Sequence, residues 1–155
     1  MNPAPGEVEA RAPIGRCGLF CGSCEIFAVS REPALDGRRR RMAQHFNCPP
    51  AAVTCEGCQN LTTKCWGSDC KVLKCLDGRG LAYCDECPDV AACERYAELD
   101  RKYEGIPRRN AARRRELGDE GWLAEQHAER ASRRCGRPLI YGDEECAYCR
   151  TTEAA

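Results

Sequence analysis

The sequence predicts a small, metal-stapled, irregular α-rich fold, α+β at most, in which cysteine knuckles are flanked by helices and followed by a degenerate zinc-ribbon-like tail. Three observations predict it. Leu, Ile, Val and Phe together make up 22 of the 155 residues, or 14%, below the roughly 20% under which a chain usually fails to bury a core. The charge does not follow the pattern of disorder, because 24 Lys+Arg balance 24 Asp+Glu. The chain also carries 15 cysteines, a density at which disulfides or metal must do part of the work of hydrophobic burial.

The choice between those two staples follows from the cysteine count and the N-terminus. Disulfides predict an even number and a secretory leader. Here the number is odd, and the opening MNPAPGEVEARAPIG has no apolar core of the kind a leader needs. A cytoplasmic protein with reduced thiols is expected, and its cysteines are then expected to be metal ligands. No run approaches the 18 or so apolar residues of a membrane span, so no membrane partner is expected. The length suits one domain with an appendage.

In chain order, residues 1–13 read as a disordered Pro/Gly-rich lead, 14–103 as the cysteine-rich metal-binding domain, 104–134 as a helical extension and 135–155 as a small ribbon-like tail. Residues 22–46 are expected to be helical in two pieces broken near Pro33, the second with Leu35, Met42 and Phe46 on one face and ended by Pro49 and Pro50. Residues 48–93 are loops and knuckles, with a helical turn around Lys71–Leu76. Pro88 and Asp89 open a helix that runs to about Tyr103, with Val90, Cys93, Tyr96 (or Ala97) and Tyr103 at roughly helical spacing. Gly105 and Pro107 break it. A further helix runs from Pro107 to Leu117 and stops at Gly118; Asp119 caps the next, which carries Trp122 and Leu123. In the tail, Leu139–Tyr141 is the expected strand, Gly142-Asp143 the turn and Cys146/Cys149 a knuckle.

The candidate ligands come in clusters. Cys17, Cys21 and Cys24 form a C-x3-C-x2-C group, Cys55 and Cys58 the knuckle CEGC, and Cys84 and Cys87 the knuckle CDEC. Cys65, Cys70 and Cys75 lie between the knuckles at five-residue intervals, and Cys93 follows. A C-x2-C pair suits metal because its tight turn aims both sulfurs at one ion while backbone N–H groups hydrogen-bond the thiolates. From Cys55 to Cys93 there are eight cysteines and only six Leu, Ile, Val or Phe, so ions are expected to organise that segment. Cys48 is a possible ligand and the best candidate for a free thiol. The tail offers Cys135, Cys146 and Cys149 as possible ligands, but Ser132 stands where a zinc ribbon places its first cysteine. Either His127 or another group completes that site, or the ribbon has lost its ion; the lost ion is the favoured reading. His45, beside Phe46, reads as a packing or capping residue.

Ligand type alone does not decide the metal. Knuckles separated by irregular loops favour structural zinc, and the ferredoxin run C-x2-C-x2-C-x3-C-P is absent. Three closely spaced thiols in C-x3-C-x2-C suit an iron–sulfur cluster, which is the alternative. The same string occurs in radical S-adenosylmethionine enzymes, but those need a large α/β barrel, and this chain shows no βα repeat. Arginine runs at Arg38–Arg41, Arg113–Arg115 and Arg133-Arg134 read as solvated surface, with nucleic-acid binding as a sharper third reading. Three loaded Zn(Cys)4 sites would take the formal charge of +0 to about −6, which disfavours general attraction to phosphate. No Ser-His-Asp, HExxH or phosphate-loop pattern appears.

The ordered strings CGLFCGSC, CEGC, CWGSDCKVLKC and YCDECPDVAAC resemble the uncharacterised cysteine-rich bacterial and archaeal family known as domain of unknown function 3795. The resemblance spans about residues 14–100. It carries over to Cys17, Cys21, Cys24, Cys55, Cys58, Cys65, Cys70, Cys75, Cys84, Cys87 and Cys93, and what it implies is metal binding. Two features depart from the family pattern: Cys65 and Cys70 have four intervening residues where the family has a tighter pair, and Cys48 matches no family position. The expected function is that of a zinc-binding accessory or interaction protein with a protein partner and no chemistry of its own. An iron–sulfur redox or cluster-handling role comes second and a nucleic-acid-binding zinc module third.

Overall fold

The computed structural model describes residues 13–60, 66 and 70–153; the expectations for residues 1–12 of the lead and for Cys65 fall outside the described residues. The first helix, α1 (Glu25–Arg31), starts directly after Cys24, carries Glu25 in its first turn and Arg31 in its last, and buries Ala28 and Val29. Those charges complement the helix dipole. Pro33 disfavours helical backbone at Glu32, which is extended and ends the helix. A 3-10 turn at Pro33–Leu35 then leads into α2 (Asp36–His45), so the expected break near Pro33 is present.

Helix α3 (Lys71–Arg79) buries Val72, Leu73 and Leu76 and runs past the expected single turn until Gly80, whose φ of 67° terminates it. The next helix opens later than expected. Val90–Ala92 is a 3-10 turn, and α4 (Glu94–Lys102) begins only after Cys93, whose extended backbone (φ −77°, ψ 107°) separates the two. Gly105, at φ 81°, and the following Pro107 start α5 (Ile106–Arg130). That helix is broken inside at Gly118 (φ 73°, ψ 170°), the residue at which the sequence places the stop. The last helix is α6 (Ala147–Glu153).

The tail departs from expectation. No strand forms over Leu139–Tyr141. A single antiparallel bridge joins Ala131 to Pro138, enclosing a turn that contains Cys135, while Cys146 and Cys149 sit at the start of α6. The physical reason is that this segment spends its backbone on the body of the protein. The Tyr141 N–H donates to the Ser23 carbonyl at 2.8 Å, the Tyr141 hydroxyl accepts from the Phe20 N–H at 3.0 Å, and Ile140 is buried. The tail is therefore a turn facing a helix.

Two apolar clusters organise the chain. One joins Ala28, Val29, Leu35, Ala43 and Val53 to Ile140 and Ala147 of the tail. The other joins Ile14 and Phe20 to Tyr83 and to Trp122 of α5, with the Phe20 and Trp122 rings edge-on at 6.2 Å. Both clusters are small, and guanidinium groups supplement them. Arg16 donates to the carbonyls of Leu81 and Ala82 at 2.7 and 2.9 Å and to Asp77 at 2.7 Å. Arg38 grips Asp143 through two bonds and Glu25 through a third. Arg114 lies 3.8 Å over the Tyr83 ring and bonds Asp85 and Asp119. Arg130 bonds the Ser23 hydroxyl and the Leu139 carbonyl, over the Tyr141 ring. Arg38 and Arg114 thus correct the reading of their runs as solvated surface: the side chains of Arg114 and Asp85 are only 12% and 11% exposed. Among the described residues no helix is long and apolar enough to cross a membrane.

Two substitutions test this packing. Gly18 sits at φ +100°, and a Cβ there would lie 2.5 Å from the Pro107 carbonyl oxygen at the start of α5. Gly18→Ala is expected to lower stability by about 1–3 kcal/mol, read from the denaturant midpoint. Trp122→Ala should cost about 3–5 kcal/mol. Trp122→Phe should cost clearly less, because the buried indole Nε1–H has no hydrogen-bond partner to lose.

Candidate metal centres

The segment from Pro13 to Cys24 is a tight loop whose own backbone fixes three thiols. Gly15 N–H bonds the Leu19 carbonyl at 2.7 Å, Cys21 N–H bonds Pro13 at 2.8 Å, and a 3-10 turn at Cys21–Ser23 closes with Cys24 N–H on Cys21 at 3.0 Å. The knuckle residue Cys58 comes to this loop. The Cys21 and Cys58 thiols hydrogen-bond one another, which holds the buried Cys21 well above the ordinary thiol range. The same bond, with help from Arg16, draws Cys58 down to about 7. Dense packing and the nearby Cys58 push Cys17 up, and desolvation raises Cys24. Cys17, Cys21, Cys24 and Cys58 are therefore within electrostatic reach of one another.

A second group forms where α3, the CDEC knuckle and the N-terminus of α4 meet. Cys75, Cys84, Cys87 and Cys93 line one cavity of about 30 Å³, walled by Val72, Leu76, Leu81 and Tyr96. Each thiol has a local reason for its position. Cys75 is on the inner side of α3, and Cys93 caps α4. Cys84 and Cys87 are held by a 3-10 turn closed by Cys87 N–H on the Cys84 carbonyl at 3.1 Å and by Glu86, which accepts from the N–H groups of Ala82 and Tyr83. Burial and the neighbouring Cys93 and Cys75 push the Cys84 thiol up to about 12. Arg79 donates to the Cys87 sulfur at 3.2 Å and to Asp89 at 2.9 Å, so a fixed positive charge faces the group. On a scale where one water needs about 10–15 Å³, this cavity has room for an ion among the four thiols.

The third group is in the tail. The Cys135, Cys146 and Cys149 sulfurs all lie within 4.8 Å of one another, and among the described residues no other three candidate ligands are that close. The Cys135 and Cys146 sulfurs are 3.6 Å apart, and the Ser132 hydroxyl is 3.8 Å from the Cys149 sulfur. The backbone N–H of Arg137, ahead of bonds from Ser132 and the other two thiols, draws Cys135 down to about 7. Such a set can hold a metal ion. The imidazole of His127 packs edge-on against Phe20 at 5.0 Å and is not part of the group, whereas the Ser132 hydroxyl lies beside it.

The remaining candidates have other surroundings. Cys48 packs against the first apolar cluster and behaves as a small hydrophobe. Cys55 receives the Gly57 N–H at 3.3 Å and lines a surface pocket with Phe27, Ser30 and Arg31. Cys70 is exposed at the start of α3, within electrostatic reach of Cys17. His45 pairs edge-on with Phe46 at 4.9 Å. Sequence reasoning passed over Arg16 and Arg79 as site residues. A signal existed for both: Arg16 adjoins Cys17, and Arg79 is four residues from Cys75, one turn along a helix.

A helix-rich chain with its cysteines gathered at turns and helix starts defines a class: small cysteine-rich helical proteins with a thiol cluster able to hold a metal ion. Within that class the family is definite. A family model described as "Protein of unknown function (DUF3795)" matches residues 13–98, more than half of the chain, and the chain belongs to that family. No curated protein and no solved structure matches it.

Proposed function

We propose that residues 14–103 form a module stapled by structural zinc, and that the protein acts as an accessory or interaction protein rather than through chemistry of its own. The observation that carries this reading is that Cys75, Cys84, Cys87 and Cys93, four soft ligands, line one cavity; no three of their sulfurs lie within 4.8 Å of one another, so an ion bound there would draw them together. Its donor set fits zinc, which takes four thiolates tetrahedrally in closed structural sites. Zinc bound there would cross-link α3, the CDEC knuckle and α4, and with no coordination position left open it would hold structure and not activate substrate. Arg79 supplies the positive charge that offsets the net charge of a four-thiolate site. Cys17, Cys21, Cys24 and Cys58 form the candidate second site, with Cys55, Cys65 and Cys70 as further ligands of the body.

Support for an interaction role comes from the surface. A cleft of about 520 Å³ runs between α1, α2 and the end of α4, lined by Ile26, Met42, Phe46, Tyr103 and Tyr141, and Phe46 is 51% exposed. Aromatic residues and methionine are enriched at protein interfaces, and a protein partner is the occupant this reading assigns to the cleft.

Metal analysis and visible spectroscopy on anaerobically purified protein test the assignment. Zinc in whole-number stoichiometry, with no visible absorption, is expected; iron with inorganic sulfide and a broad visible band would replace zinc by the iron–sulfur reading. A strong chelator is expected to unfold the protein, since a structural zinc site contributes on the order of 10 kcal/mol, comparable to the net stability of a small domain. Retention of the circular-dichroism spectrum after proven metal loss would refute the structural role. Cys84→Ser should remove one ion per chain, and Arg79→Gln should leave the count unchanged while speeding zinc transfer to a chelator about 10–100-fold, the usual effect of losing a partner to a ligand.

A further inference from the structure

The tail group lies beyond the residues matched by the family model, which end at 98, and its backbone shows what kind of site it is. In a metal knuckle the turn's N–H groups point at the ligand sulfurs. Here the N–H groups of Arg134 and Cys135 donate to the Ser132 hydroxyl at 3.2 and 3.4 Å. The Ala131–Pro138 bridge and the bonds from Ser132 N–H to the Arg137 carbonyl and from Gly136 N–H to the Ser132 carbonyl, both 2.8 Å, close the turn. The turn is thus that of a complete knuckle with oxygen in place of the first sulfur. Facing it, Cys146 and Cys149 repeat the two-residue spacing at the start of α6.

We propose that Cys135, Cys146 and Cys149 bind one soft divalent ion of the zinc class at a site left open at the Ser132 corner, where a low-molecular-weight thiol enters as the fourth ligand. A neutral hydroxyl is a weak donor to such an ion beside three thiolates, so Ser132 marks the corner without closing it. Zinc sites with three protein ligands keep the fourth position for an exchangeable group. Thiolate sulfur is a much stronger donor to such an ion than a neutral hydroxyl or water, and that preference works against the one negative charge the three-thiolate centre already carries. In that step the thiol releases its proton to solvent and its sulfur joins the ion; no electron moves. Cys135 is exposed, so solvent and an incoming ligand reach the ion past that sulfur, while Cys146 and Ser132 are buried and form the inner wall of the site. The inference stands independently of the zinc reading for residues 14–103.

The test uses the full chain, refolded anaerobically with cobalt(II), as wild type, Cys135→Ser and Ser132→Cys. Equilibrium dialysis should show one more cobalt per chain in wild type than in Cys135→Ser, which changes only an exposed turn position and should keep the wild-type circular dichroism. Adding 2-mercaptoethanol should move the wild-type visible spectrum toward that of Ser132→Cys and leave both variants unmoved. Ser132→Cys should also release cobalt to a chelator on the order of tenfold or more slowly, since a direct ligand counts for at least as much as a partner one bond further out. Equal cobalt counts in wild type and Cys135→Ser, or a wild-type spectrum that ignores the thiol, would overturn the proposal. Failure of the reading for the body looks different: Cys135→Ser would then hold no cobalt at all.

Discussion

The structure depends on one side chain reaching three acceptors at once. Arg16 binds the carbonyls of Leu81 and Ala82 and the carboxylate of Asp77, and its own carbonyl accepts the Cys84 N–H at 3.0 Å. Those four bonds lay the segment between α3 and the CDEC knuckle against the opening loop, across more than sixty residues of sequence. They set Cys17 beside the second cysteine group, where it feels Cys84 as well as Cys58 of its own group. A planar fork of five donors can do this and an ammonium group cannot. The same positive charge also lies next to Cys58.

Arg16 is one case of a wider solution to a shortage of aliphatic side chains. Arg38, Arg114 and Arg130 each tie elements distant in sequence, and Arg114 and Arg130 also lie over an aromatic ring. Buried ion pairs are a weak source of net stability, since apolar replacements often do as well. Their geometric demand is their use here, because a guanidinium needs its acceptors in one plane and so specifies a relative orientation that a small apolar cluster leaves loose. Thiols take the other part of the interior, at the cavity between α3 and α4.

The family match and the core do not share a boundary. The matched residues end at 98, yet Trp122 seals the cluster around Phe20 and Tyr83, and Ile140 and Ala147 complete the cluster around Val29 and Leu35. Trp122, Ile140 and Ala147 therefore bury surface that the matched segment would otherwise expose. Tyr141 reinforces the junction through its N–H and hydroxyl, both bonded inside the Phe20–Ser23 stretch.

What was legible in the sequence was whatever local chemistry dictates. The break near Pro33 and the stop at Gly118 follow from backbone angles that proline and glycine impose or permit within a residue or two, and the knuckle turns follow from two-residue spacing. The cysteine density by itself pointed to a stapled fold. Tertiary structure decided the rest, because it turns on contacts between residues far apart in sequence. Cys58 meets Cys21 while Cys55 of the same knuckle lines another pocket. Cys48 joins an apolar cluster, and Arg38 and Arg114 turn inward out of runs that read as solvated. In the tail, the sequence alone marked Ser132 as a missing cysteine. Only the folded turn, with its N–H groups converging on that hydroxyl and three sulfurs beside it, makes Ser132 the open corner of a site.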